Sequence, residues 1–190
     1  MEFLGHTFFS NSLLHCPFPC LRVVYKFSLT LNVLEYDTMS LTVGSVAPEF
    51  CLDSHLGTKV SLSQFKDHIT VVSFLPFAFT GGWTNQVSGF RANYQTFKQK
   101  NIEILQISVD PTPSLKAWAE KFEGVPFPLL SDFWPHGGVG QAYGVFQSER
   151  GMDKRSAFIV DSQGIIRFSK LYDPGTIPES KDLLEIINTL

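Results

Sequence analysis

From about residue 43 onward, the run length and spacing of apolar residues divide the chain into short, regular elements. PEFCLDSHLGTKVSL alternates apolar and polar positions on either side of a glycine, which predicts two short strands joined by a turn. ITVVSFLP, residues 69–76, is a continuous apolar run of the kind a strand buried on both faces requires. Residues 84–100 set Val87, Phe90, Tyr94 and Phe97 on one face at helical spacing. IEILQISVD predicts a second buried strand, and PTPSLKAWAEKFEG a helix that opens on prolines and stops at Gly124. FPLLSD predicts a third short strand, followed by a short helix from Val139 to Tyr143. SAFIVDSQGIIRFSKL reads as a hairpin turning through Asp161 to Gly164, and PESKDLLEIINTL as a closing amphipathic helix.

Strands that alternate with helices, then a hairpin and a last helix, place the chain in the α/β class. The expected architecture is a central mixed β-sheet with helices on both faces and an N-terminal β-hairpin. Reactive groups in such sheets sit where strand carboxyl ends feed into helix amino termini. PFAFTGGW, residues 76–83, occupies a junction of that kind.

Composition narrows the picture. A chain of 190 residues that is 44% hydrophobic has room for one well-buried domain. A formal charge of −3 gives no reason to expect nucleic acid or an anionic membrane as a partner. No stretch approaches the roughly 18 to 20 uninterrupted apolar residues of a membrane span, and the expected location is cytoplasmic. The first 38 residues carry no lasting period, and Glu2, His15, Pro17 and Pro19 break the pattern of a targeting segment. They are read as an unstructured extension or a mis-assigned start, with Met39 opening a domain over 39–190. Cys16 and Cys20, in CPFPC, lack further ligands or a following helix, and no metal site or redox couple is assigned to them.

Pro76, Thr80, the residue at 83 and the distant Arg155 hold the spacing Pro-x-x-x-Thr-x-x-Cys plus arginine, except that Trp83 stands where the cysteine belongs. With SDFWPHG at 131–137 and the QAYGV that comes after it, residues 43–190 resemble a peroxiredoxin of the alkyl hydroperoxide reductase / thiol-specific antioxidant family. The similarity is greatest to its one-cysteine, alkyl hydroperoxide reductase E-like branch. The resemblance implies a thioredoxin-like fold and thiol-dependent reduction of hydroperoxides. It further implies a thiol reductant, a homodimer, and no cofactor or metal. In such a site a helix amino terminus and an arginine lower the pKa of a thiol from its usual value of about 8.5. Threonine hydrogen-bonds the peroxide, and proline shields the sulfur.

Trp83 removes that nucleophile, because an indole N–H is a donor with no accessible anionic form. Two classes of function stay open. One is a peroxiredoxin-fold protein that acts through binding or assembly. The other is a peroxide reductase whose residue 83 is by origin cysteine or selenocysteine, since the tryptophan codon lies one base from the cysteine codons and from TGA. Arg155 taken alone reads as a solvated strand-end arginine, and the loop pattern is what makes it a site residue. Cys51, the one cysteine within 43–190, reads as small, half-buried and inert. Trp118 reads as core beside Leu115 and Phe122. Phe133, Trp134 and His136 read as packing residues, with a ligand or subunit contact as the alternative.

Because residues 1–38 offer no periodic apolar face to dock, a chain beginning at Met39 is expected to unfold at the same temperature as the full chain. Differential scanning calorimetry of the two checks this, and a loss of several degrees on truncation contradicts it.

Overall fold

A computed structural model describes residues 41–190, apart from the side chain of Trp83. The expectations for residues 1–38, for Cys16 and Cys20 and for the start at Met39 lie outside the described residues. Strand β1 (Cys51–Ser54) and strand β2 (Lys59–Ser61) pair antiparallel, with Cys51 opposite Ser61. Gly57 turns the chain between them at φ +78°, a left-handed conformation that suits glycine. A 3₁₀ turn over Leu62–Phe65 leads to strand β3 (Ile69–Phe74). Helix α1 (Gly81–Gln99), strand β4 (Ile102–Ser108), helix α2 (Thr112–Glu120) and strand β5 (Leu129–Ser131) come next. A short helix α3 (Gly138–Ala142) precedes a two-residue ladder of strands β6 (Phe146–Gln147) and β7 (Met152–Asp153). Strand β8 (Ser156–Val160), strand β9 (Ile166–Leu171) and helix α4 (Ser180–Ile187) end the chain.

Seven strands form the main sheet in the order β2-β1-β5-β4-β3-β8-β9. The central β5, β4 and β3 are parallel, and the outer β1 and β8 pair antiparallel with them. The mixed sheet is a product of the connections: helices α1 and α2 return the chain to parallel strands, whereas the tight turn at 161–164 reverses it. Residues 70–74 and 104–108 are all buried because both faces are covered. Alternate side chains divide between two cores. Val71, Ile104 and Ile159 face α1, α2 and α4, whose Phe90, Phe97, Leu115, Trp118, Leu183 and Ile187 fill the same layer. Val72, Leu105 and Phe158 face the opposite way, where Phe50, Leu62, Tyr143 and the partly buried Val139 of α3 cover them.

Helix α1 begins three residues earlier than its apolar period suggests, because both glycines of the loop are already helical. It ends where Asn101 takes φ +57° and turns the chain into β4. Helix α2 ends at Glu120, short of the expected stop at Gly124; single turns carry the chain on to Gly124, which takes φ +98° and donates its N–H to the Ala119 carbonyl at 3.2 Å. Asp161 holds the β8–β9 turn, its Oδ1 accepting the backbone N–H groups of Gln163 and Ile165, each at 2.9 Å. The β6–β7 ladder has no counterpart in the apolar pattern, since two-residue strands are too short to alternate.

Phe90 is fully buried between Phe97 and Phe127, at ring-centroid distances of 5.8 and 6.2 Å. Phe90→Ala is expected to lower stability by about 3–5 kcal/mol, because the cavity sits between a helix and a sheet that cannot close on it. Urea unfolding with an unchanged m-value measures this.

Candidate active site at the head of the first long helix

The β3–β4 ladder extends one residue past β3, where Leu75 N–H donates to the Ile107 carbonyl at 2.9 Å. Pro76 has no N–H to continue it, and the chain leaves the sheet. The loop beyond Pro76 is pinned from β4's side. The N–H of buried Ala78 donates to Asp110 Oδ2 at 2.7 Å, and the Ser108 hydroxyl donates to the same oxygen at 2.9 Å. Phe79 takes φ +62°, a left-handed conformation that costs a non-glycine residue about 1–2 kcal/mol. Its half-exposed ring lies 4.7 Å beneath the Lys121 ammonium.

Thr80 stands at the N-cap of α1 yet makes no capping bond to the helix. Its hydroxyl donates to the Phe77 carbonyl at 3.0 Å instead. Toward a bound molecule Thr80 therefore presents lone pairs, and the first-turn amides of Gly81, Gly82 and Trp83 receive no cap from it. Trp83 is the third residue of this helix, and its side chain lies outside the described residues.

Arg155 reaches the same place from the other side of β3. Antiparallel pairing sets Phe74 opposite Ser156, so the residue before Ser156 falls beyond the carboxyl end of β3. The Arg155 guanidinium packs directly on Gly82. A Cβ built there would lie 2.7 Å from Nη2 and 2.9 Å from Nη1. Nη1 donates to the Thr176 carbonyl at 3.0 Å, while the backbone carbonyl of Arg155 accepts from Tyr172 N–H at 2.9 Å. Burial lowers the guanidinium pKa from its usual value, but the group stays a cation. Pro76, Thr80, the helical position 83 and Arg155 are thus drawn to one strand-to-helix junction.

Two supports carry little or no signature in the sequence. Asp110 lies two residues past the end of β4, and only the fold brings it to Ala78. Gln86, one turn after Gly82, is buried and donates through Nε2 to Ser73 Oγ at 2.9 Å. Ser73 Oγ in turn donates to the Ser156 carbonyl at 3.1 Å, so one relay ties α1, β3 and β8 together beneath the site. Its only sequence signal is a polar residue on an apolar helix face.

The other candidate residues fall elsewhere. Trp118 is core, packed on Phe122 at 4.7 Å between ring centroids. Cys51 is exposed, not half-buried, because the inward positions of β1 are Leu52 and Ser54. Its strand stands three places from β3, about 14 Å away at the usual strand spacing, too far to serve as the nucleophile. Phe133 and Trp134 are exposed at 50% and 82% instead of packed. His136 does pack, against Phe133 and Phe146, with Nε2 hydrogen-bonded to the Gly151 carbonyl at 2.8 Å.

A parallel-centred sheet with a helix-head site of this construction defines a thioredoxin-like domain of the peroxiredoxin class. The AhpC/TSA family profile matches residues 43–169, and the chain belongs to that family. Alkyl hydroperoxide reductase E of Mycobacterium tuberculosis is 41% identical over 142 residues, spanning 74% of this chain and 92% of that protein. The chloroplastic peroxiredoxin Q of Triticum aestivum is 35% identical over 150 residues, covering 77% and 67%. Among solved structures, Enterococcus faecalis AhpC superposes with a TM-score of 0.72 at 24% identity, covering 77% of this chain and 90% of that one. That likeness concerns the fold.

Gly82→Ala tests the seat of Arg155. The added methyl meets only the far end of a flexible side chain, and alanine favours the helix by up to about 1 kcal/mol. The variant is expected to unfold no earlier than the parent, yet to lose the Arg155–Thr176 contact. Displacement of the Arg155 Nε–H signal in an NMR spectrum, with no fall in melting temperature, is the expected result.

Proposed function

We propose that the protein is a peroxiredoxin whose hydroperoxide site is assembled but lacks its nucleophile, so that the chain with Trp83 does not reduce peroxides and acts through binding or assembly. The observation that carries this reading is the Arg155 guanidinium seated on Gly82, at the uncapped head of α1. Cationic charge and helix amides converge there on the place where a thiolate and a polarised O–O bond would be stabilised. Pro76 and Thr80 complete the loop, and Asp110 supports it from beneath. The same reading takes residues 39–190 as the working unit, a cytoplasmic homodimer without a bound cofactor.

A second reading is favoured by the retention of these supports: an active thiol or selenol peroxidase whose residue 83 is cysteine or selenocysteine. In that case the thiolate attacks the distal peroxide oxygen, an S–O bond forms as the O–O bond breaks, and the alcohol leaves with a proton. Cysteine is oxidised to sulfenic acid, and a thiol reductant returns it to the thiol. Reading the codon at position 83 separates the two.

The chain as written is expected to consume peroxide no faster than the free-thiol background of its three cysteines, and blocking Cys51 is expected to change nothing. Trp83→Cys should be oxidised in a single turnover, orders of magnitude faster than a free thiol, with a pKa below the usual value of about 8.5. Trp83→Ser, which relieves the bulk without supplying sulfur, should be inert. Arg155→Ala in the cysteine variant should slow oxidation by about tenfold or more. Stopped-flow fluorescence and mass spectrometry of the sulfenic acid provide the measurements. A folded Trp83→Cys protein that reacts only at the rate of a small-molecule thiol would leave the binding reading alone.

A further inference from the structure

Two buried carboxyl groups outside the site take no part in peroxide chemistry. Asp132, at the end of β5, turns back onto α3, its Oδ2 accepting the N–H groups of Val139 at 2.8 Å and Gly140 at 2.9 Å. Asp153, in β7, is fully buried, and neither of its oxygens has a hydrogen-bond partner among the described residues. It presses instead on the same residue: a Cβ built on Gly140 would fall 2.0 Å from Asp153 Oδ1. Gly140 thus holds one carboxyl at its N–H and the other at its Cα, which confines the two oxygens to within about 7 Å of each other.

A buried carboxylate without a donor is among the costliest groups a fold can hold, whereas a neutral carboxylic acid is tolerated. The charged groups nearest the pair along the chain are His136 after β5, Glu149 and Arg150 between β6 and β7, and Lys154 and Arg155 beyond β7, with none in α3. Of these His136 alone acts on either carboxyl, lowering Asp132. Among the described residues no basic side chain forms an ion pair with either carboxyl, and His136 acts on Asp132 only through space.

We propose that Asp132 and Asp153 form a proton-holding latch that clasps α3 to β7 while Asp153 is neutral and loosens when both carboxyls are charged, shifting the strand two residues ahead of Arg155. This rests on the pair's own geometry and not on what residue 83 can do. The surroundings set the order of ionisation. Burial pushes Asp132 up to about 6, the Gly140 and Val139 N–H groups holding it back. Burial and the Asp132 charge push Asp153 up to about 8. Both values lie above those of the unfolded chain, near about 3.9. The folded form therefore binds more protons, and the pair's contribution to stability is complete below about pH 4 and is lost as pH rises through 6 and 8.

The experiment compares the full chain with Asp153→Asn and with Asp153→Leu, by thermal unfolding from pH 5 to pH 9. His55, whose pKa burial lowers, titrates in all three and cancels in the difference. The margin of each variant over the parent is expected to widen by several degrees between pH 5 and pH 9. The leucine variant serves if the asparagine protein does not fold, since Asp153 has no hydrogen bond to replace. In parallel, the NMR signal of Arg155 Nε–H is expected to move with pH between 6 and 9 in the parent and to stay fixed in the variants, which a merely structural Asp153 would not produce. Parallel unfolding profiles across the pH range overturn the latch. A parent Arg155 signal that ignores pH overturns its reach to the site.

Discussion

The antiparallel pairing of β3 with β8 is the constraint on which the site depends. β3 carries the chain out of the sheet into the loop and α1, and β8 enters the sheet beside it with Ser156 opposite Phe74. That single register puts Arg155 at the level where β3 ends. A slip by one residue would flip every side chain of β8 between the two cores and carry Arg155 away from Gly82. The register is secured by its own burial, since all five residues of β8 are enclosed. The relay from Gln86 through Ser73 to the Ser156 carbonyl repeats the alignment in polar terms, inside a layer where a misplaced hydroxyl would find no water.

Much of this is legible in the residues because it is local. Long apolar runs identify β3 and β4, prolines mark the start of α2, and Asp161 to Gly164 make the hairpin turn. The loop residues Pro76 and Thr80 and the distant Arg155 stand out through their spacing, and the fold brings them together. The features that escape a reading of the sequence are set by tertiary contact. Asp110 reaches across 32 positions to hold Ala78, and nothing in its own neighbourhood signals that role. The apolar period places the start of α1 late because two glycines look like a loop, and it is the Arg155 guanidinium, fitting only where a side chain is absent, that accounts for glycine at position 82. Exposed Phe133 and Trp134 resemble core residues in sequence, as any aromatic pair does. For Cys51 the difference is one of parity: Leu52 turns inward, which leaves its neighbour outside.

The two cores differ in what they contribute. The layer beneath α1, α2 and α4 contains the large aromatic cluster of Phe90, Phe97, Trp118 and Phe127, and it fixes where the α1 axis lies. The opposite layer centres on Tyr143, whose hydroxyl donates to the Pro48 carbonyl at 3.0 Å and draws the segment before β1 over the sheet. Tyr143 immediately succeeds α3, so the strand-side cover and the buried carboxyls share one short stretch of chain.

The glycine pair at the start of α1 also bears on how the head of the helix moves. Gly81 and Gly82 each forgo about 1 kcal/mol of helix propensity relative to alanine, and the turn they form has no side-chain cap. The remaining turns are anchored by Val87, Phe90 and Phe97, all fully buried. Helix α1 is therefore a two-speed element, with a last portion that opens only with the whole domain and a first turn that frays on its own at little free-energy cost. Amide hydrogens at 81–83 are expected to exchange fast, and those from Val87 onward slowly. Position 83 lies on the loose side of that boundary. A substitution there acts on a turn outside the cooperative core.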